Sequence, residues 1–303
     1  MVMKHAGLDI SDDAISCIEY FGHAPNLHIR KFSSVDLGPG VIEGGEIKDE
    51  KALVEKLSKV DKDLNLSYVK VSVPEEKSYL FQTDISATDP VAIAQNIEFK
   101  LEENVPLPVS EAVFYFDVLP MSVTGGKLRA SVSVVPKVYI EKIVSLLRVS
   151  GLYPIAFEVV PKSIARAALS STLEDSAMIV HVMNNKTGIY IVCGGVVCFG
   201  STVGWGSSQS SNIKILLDEL VRVNSYWLSH HPDSSKLGQL ILVGNDCQKF
   251  ETQIGEAVAN AGLAVSIGNV WTNAFSLNNY IPPIMKDQSL KYAVAAGLAM
   301  DLI

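Results

Sequence analysis

Asp9 is the first residue in the chain placed to do chemistry. It sits in Ala6-Gly7-Leu8-Asp9-Ile10, which Ser11-Asp12-Asp13 separates from a second alternating run, Ala14-Ile15-Ser16-Cys17-Ile18-Glu19-Tyr20. The pattern predicts a β-hairpin with a polar turn. Such a turn, with Gly7 and Ser11 beside it, can aim backbone amides at a phosphate while a carboxylate faces its magnesium. An ordinary hairpin accounts for the same residues, so both readings stand. Asp12-Asp13 reads as a metal site or, more simply, as an exposed turn. His230-His231 with Asp233 also suggests a metal. Adjacent histidines point apart on a helix, so a solvated helix end suits them better. Gly-x-Ser-x-Gly, Walker A and Gly-x-Gly-x-x-Gly are absent from the sequence. Their absence removes the common hydrolase, P-loop and dinucleotide signatures.

Composition narrows the classes further. A chain of 303 residues is long enough for about two domains and a large core. The net charge is -8 and no Lys/Arg run occurs, which argues against nucleic acid as a partner. The four cysteines, Cys17, Cys193, Cys198 and Cys247, form no Cys-x-x-Cys and have no histidine at ligand spacing. They read as reduced, buried thiols of a cytosolic protein, and zinc is not expected. The first strand begins within a few residues of the start, so no signal peptide is expected. The uncharged stretch 187–213 is broken by Gly194-Gly195, which predicts a hairpin rather than a membrane span.

The elements that must position these residues follow in order. After the opening hairpin, 27–37 reads as a third strand of the same meander. A Gly-rich connection, 38–49, leads to a helix capped by Asp49 and carrying Leu53, Val54, Leu57 and Val60. Residues 68–73 alternate as a strand that Pro74 ends. The texture then changes. A helix opens at Asp89-Pro90 and stops at Pro106-Leu107-Pro108; strands 112–119 and 128–135 flank a loop with Gly125-Gly126; Pro136 starts a helix that Gly151 caps. A strand 155–160 and a helix 161–169 return to the first domain, and 170–175 reads as a linker. Strands 177–183, 189–192 and 196–199 repeat the opening meander. Gly204-Trp205-Gly206-Ser207 forms a turn before a long helix, 209–228. A strand 240–243, a helix 250–261 and a final Ala-rich helix 289–303 complete the chain.

The duplicated layout, with a small insert after the first meander, resembles the FtsA and PilM branch of the actin-like superfamily. Several motifs are similar to the PilM family of type IV pilus assembly. Gly7-Leu8-Asp9-Ile10 resembles its opening phosphate motif. Gly40-Val41-Ile42 with Gly45-Glu46-Ile47-Lys48-Asp49 resembles its loop before the first helix. Ile97-Glu98 through Val105-Pro106 resembles its insert helix. Gly151-Leu152-Tyr153-Pro154 with Ala165-Arg166-Ala167 resembles its return to the first domain, and Gly297-Leu298-Ala299 its final helix. The resemblance implies an α/β, actin-like (ribonuclease H-like) duplicated fold. One half spans 1–85 and 151–175, with an inserted subdomain at 86–150. The other spans 176–206 and 238–303, with a subdomain at 207–237.

It also implies a nucleotide cleft, with Gly7, Asp9, Ser11, Gly204 and Gly244 as its residues if ATP and magnesium bind. The sequence departs from the family there. His181 and Met183 replace the acid and the Gly of the second phosphate turn. Ser11-Asp12-Asp13 replaces Gly and small hydroxyl residues in the first. Ser16 stands where Lys is common, and Gly244-Asn245-Asp246 replaces a Gly-rich adenosine turn. A Cβ hinders close approach to a phosphate, and two carboxylates repel one. Weakened or lost ATP binding is therefore expected, and no catalytic residue. The function implied is a cytoplasmic adaptor, peripheral to the inner membrane, that binds the N-terminal peptide of a PilN-like membrane protein together with other pilus or secretion assembly proteins. Tyr79 and Phe81, where the insert begins, and Tyr115 on its strand are the expected anchors. An ATP-binding FtsA-like division protein and a type II secretion component are the alternatives. The FtsA-like reading lacks the expected C-terminal amphipathic anchor.

Overall fold

A computed structural model describes residues 4–85, 89–119, 128–170, 176–231 and 237–300. Gly125-Gly126, Asp233, most of the expected linker and the last residues of the expected final helix lie outside them.

The first half opens with β1 (Ala6–Ile10), β2 (Ala14–Phe21) and β3 (His28–Asp36), then a small hairpin of β4 (Ile42–Glu43) and β5 (Glu46–Ile47). Helix α1 (Glu50–Leu64) starts at Asp49, whose side chain accepts from the Ala52 amide at 2.9 Å. It buries Leu53, Leu57 and Val60, the stripe its periodicity predicts. Then come β6 (Tyr68–Val73), β7 (Tyr79–Ile85), α2 (Pro90–Asn104), β8 (Ala112–Val118), β9 (Leu128–Pro136), α3 (Lys137–Val149), β10 (Tyr153–Val159) and α4 (Val160–Ala168). The second half holds β11 (Ser176–Val182), β12 (Thr187–Cys193), β13 (Val196–Val203), α5 (Lys214–His230), β14 (Gln239–Gly244), α6 (Glu251–Val258), β15 (Ala264–Ile267), α7 (Lys286–Ser289) and α8 (Ala293–Met300).

Two five-stranded sheets have the same topology. One runs β3-β2-β1-β6-β10, the other β13-β12-β11-β14-β15. In each, a meander is antiparallel and the two later strands add parallel to the first. This repeat is the duplicated actin-like fold. The central strands β1 and β11 are buried along their whole length, so they read as apolar runs rather than as alternation.

The third sheet, β7-β9-β8, forms the insert and packs on Ile93, Ile97 and Leu101 of α2. It begins at Tyr79, ahead of the boundary at 86 read from the sequence, because β7 pairs with β9 and not with β6. Helix α3, read as part of the insert, instead places Ile143, Leu146 and Leu147 in the α1 core of the first half. Among the described residues, the subdomain expected at 207–237 has no separate core: Leu216, Leu220 and Trp227 of α5 join the core of the second half. Between the halves, α8 packs on β1, β2 and α4. Gly7 and Gly297 make this possible. A Cβ on Gly297 would strike the Ser163 backbone, and one on Gly7 would strike Ala295 and Leu298. Among the described residues, no helix is long and apolar enough to cross a membrane.

Candidate functional site

The cleft between the halves is where the two meander turns meet. The Ser11 hydroxyl closes its own turn, donating to Ala14 O at 3.0 Å and accepting from the Ala14 amide at 3.1 Å. Asp13 reaches across the cleft, and its carboxylate accepts from the Asn184 amide at 3.0 Å. That amide belongs to the β11–β12 turn, where the resemblance implies a second phosphate turn. Asp12 accepts from the Gly44 and Gly45 amides at 3.0 and 2.9 Å and pairs with Lys186 at 3.2 Å. Gly44 and Gly45 both have positive φ, +57° and +69°, the turn that aims both amides at one carboxylate. Lys186 also pairs with Glu76.

The β11–β12 turn is knitted from behind. Ser207 N donates to Met183 O at 2.8 Å, and Ser208 N to Asn184 O at 3.0 Å. The Asn245 side chain donates to Asn184 Oδ1 at 3.0 Å. In the cleft lies a cavity of about 80 Å³, walled among others by Asp9, Asp13, Asp36, His181 and Lys291. Three aspartates wall this small cavity. Burial raises Asp9 to about 6, against a hydrogen bond from Ser72 and the charge of Lys186. Burial likewise raises Glu75 to about 7, and its Oε1 has no partner. Burial lowers His181 to about 4, so its ring is neutral. At Lys186 burial works against the charge, but Glu76, Asp12 and Glu75 outweigh it and hold the pKa above its usual value.

The residues named for a nucleotide thus have other surroundings. Gly7 lies under α8 and Ser11 serves its own turn. Asp9 lines the small cavity. Gly244, at φ +97°, presses against the Val182 carbonyl. Gly204 is exposed, with no heavy atom near its Cβ direction. Among the described residues, no group of three or more His, Cys, Asp or Glu could hold a metal ion. His230 and His231 stack on Tyr226 and Trp227 at the end of α5.

A second cleft lies between the first half and the insert. It is a groove of about 490 Å³. Val113 and Tyr115 of β8, Ile140 of α3, and Phe157 and Val159 of β10 give it apolar walls. Strands β8 and β10 are each the outer strand of a sheet, so both bring an unpaired edge to it. Lys162 and Arg166 of α4 stand at the groove. The Lys162 ammonium sits 3.9 Å from the centre of the Tyr115 ring and pairs with Asp117 at 2.9 Å. The Tyr115 hydroxyl donates to the same carboxylate at 2.8 Å. Tyr115 is therefore held in place while 56% exposed. Behind it, Arg166 grips Glu158 through two bonds of 2.7 Å, and Lys70 adds a third contact at 3.0 Å. Burial alone would raise Glu158, but Arg166 and Lys70 hold it below the usual carboxylate range.

Tyr115 is thus at the groove, whereas Tyr79 and Phe81 lie on β7, beyond β9. Phe81 packs against the insert core, and Tyr79 is 38% exposed beside Val134. Ile140, Phe157 and Lys162 are groove residues that the sequence reading did not single out. Their spacing carries only helix and strand periodicity, which any core residue would share.

No family model matches the chain, and no curated protein matches it. Among solved structures, a chain of a PilM-PilN type IV pilus biogenesis complex superposes with a TM-score of 0.79, at 16% identity, over 99% of this chain and 98% of that one. The cytoplasmic domain of EpsL, an inner membrane component of the type II secretion system of Vibrio cholerae, superposes with a TM-score of 0.51, at 13% identity, over 96% of this chain and 94% of that one. Together with the repeated sheet order, these likenesses show that the chain has the duplicated actin-like fold, in the form seen in the PilM-PilN complex.

Proposed function

We propose that this protein is an adaptor that captures the N-terminal peptide of a PilN-like membrane protein, and that it does so without nucleotide. The observation that carries the reading is the groove between β8 and β10, in a fold that matches a chain of the PilM-PilN complex. An extended peptide can add main-chain hydrogen bonds to a free sheet edge while alternate apolar side chains seat against Val113, Ile140 and Phe157. The cations Lys162 and Arg166 suit carbonyl or carboxylate groups of the same peptide. The protein would then work in the cytoplasm and reach the inner membrane through its partner.

The nucleotide half of the reading rests on the other cleft. The Asp13 carboxylate sits on an amide that would otherwise face a phosphate, and a cavity of about 80 Å³ is small beside the ~300 Å³ of a small-ligand pocket. Three aspartates face one lysine there, the wrong balance for a triphosphate. These residues do not fit ATP.

The test is titration calorimetry of the intact protein with the synthetic N-terminal segment of a PilN-like protein encoded beside it. A segment that orders on binding is expected to reach micromolar affinity, about −8 kcal/mol. No binding by the folded protein would remove the adaptor reading. The EpsL likeness favours one second reading, a type II secretion adaptor. Tighter binding of a secretion-system peptide than of the pilus peptide would select it.

A further inference from the structure

The second half carries a pair of thiols that peptide capture leaves unused. Cys193 ends β12 and Cys198 lies in β13, on either side of the Gly194-Gly195 turn. Both are free, and they lie on adjacent, paired strands of one hairpin. The ladder is irregular at this point. Cys193 faces Val196 and Val192 faces Val197, but Ile191 faces Phe199, so Cys198 is the extra residue of a β-bulge. Its sulfur also contacts Val196 O at 3.5 Å.

The bulge does a second job. The Ser131 hydroxyl of β9 donates to Val197 O at 2.5 Å, and the Gln82 amide of β7 donates to Cys198 O at 2.8 Å. Successive carbonyls of a regular strand point to opposite sides. The bulge re-aims them, so that the insert sheet grips two in a row. The seat of the insert on the second half therefore depends on the conformation around Cys198.

We propose that Cys193 and Cys198 form a redox-sensitive pair whose oxidation to a disulfide loosens the seat of the insert. With a hydroperoxide as oxidant, the Cys193 thiolate attacks a peroxide oxygen and the O–O bond breaks. The displaced oxygen takes up a proton and leaves as water or alcohol, and Cys193 becomes a sulfenic acid. Cys198 then loses its proton, its sulfur attacks the Cys193 sulfur, and the S–O bond breaks with loss of water. The two sulfurs give up two electrons and the peroxide gains them.

The four thiols differ in the direction this requires. The hydrogen bond from Cys198, helped by Ser176, outweighs burial and holds Cys193 below its usual value. The neighbouring Cys193 and burial push Cys198 up, and burial pushes Cys17 up and Cys247 up to about 12. Cys193 is also the one thiol of the four that is not buried. Thiolate character and access select the site of attack.

The experiment treats the intact protein with hydrogen peroxide, then reads alkylation by mass spectrometry and hydrogen exchange peptide by peptide. The peptide holding both cysteines should lose two hydrogens and escape alkylation, while Cys17 and Cys247 alkylate after unfolding. Amides of β7 and β9 should exchange several-fold faster, and a thiol reductant should restore them. Cys193→Ser should abolish both effects; Cys198→Ser should abolish the bridge and leave Cys193 to oxidise further. Sulfinic acid at Cys193 without a bridge in the unmutated protein, or no oxidation at either thiol, overturns the pair. A bridge that leaves β7 exchange unchanged overturns its link to the insert. These readouts need neither peptide nor nucleotide, so they stand apart from the adaptor reading.

Discussion

Between the halves, Asp12 and Asp13 reach from one turn to Lys186 and the Asn184 amide of the other, leaving about 80 Å³. Beside the insert, β8 and β10 stop short of each other and leave about 490 Å³ with two unpaired edges. Both spaces lie between packed sheets of one chain. They differ in what satisfies the backbone. In the first, the protein's own carboxylate takes the amide of the facing turn. In the second, the outer strands β8 and β10 both line the groove, and its charged side chains are paired within the protein: Lys162 to Asp117, Arg166 and Lys70 to Glu158. A cleft whose donors are already used resists a ligand; one whose edges are free invites a strand.

The largest expected effect comes from the contact between α8 and α4. Gly297→Val drives a side chain into the Ser163 backbone, where α8 meets α4. Overpacking against rigid backbone should cost about 3 kcal/mol. Thermal unfolding should show a large fall in Tm, and an unchanged Tm would mean that the close approach is not needed.

Lys186→Met separates the clefts. It removes the cation that Asp12 and Glu76 share, in a site between buried and exposed. A loss of roughly 2 kcal/mol follows from values for buried and exposed pairs. Chemical denaturation measures it, and peptide affinity should stay within about twofold. Tyr115→Ala should do the reverse. Capture should weaken by roughly 2 kcal/mol, about thirtyfold, if Tyr115 is a hot spot, with little loss of stability. Tyr79→Ala should leave capture unchanged, because that strand lies beyond β9.

The sealed cleft should also show in pH dependence. Asp9 is near 3.8 unfolded and about 6 folded. The folded state therefore binds its proton more tightly. Its contribution is fully present below the unfolded value and is lost as pH rises through the folded one. Relative to Asp9→Asn, the unmutated protein should lose on the order of 2 kcal/mol between pH 4 and pH 7. Parallel stability curves for the two proteins would refute the raised carboxyl. The smallest expected effect is none: millimolar ATP with magnesium should leave Tm unchanged. A micromolar binder at that concentration would add about 4 kcal/mol, so a clear upward shift would reopen the cleft to nucleotide.

The sequence by itself determined the elements and their repetition. Gly7 to Tyr20 and 187–203 read as hairpins because β-branched alternation is broken by short polar or glycine turns. Asp49, Asp89 and Pro136 marked helix starts through local capping and φ restriction, which act within one turn. The departures of Met183 and His181 from the pattern of the family that the sequence resembles were legible for the same reason: a turn motif is local. The tertiary structure alone decided which groups meet. Asp13 and Asn184 are 171 residues apart, and no periodicity links them. Residues 79–85 run Tyr79-Leu80-Phe81-Gln82-Thr83-Asp84-Ile85 with no clean alternation, and only pairing with β9 assigns them to the insert. Tyr115 and Phe81 are aromatic residues of the same sheet. One faces a groove because β8 is an outer strand beside α4, and the other fills a core under α2. Exposure and partnership depend on contacts made across the whole chain, and side-chain type alone does not contain them.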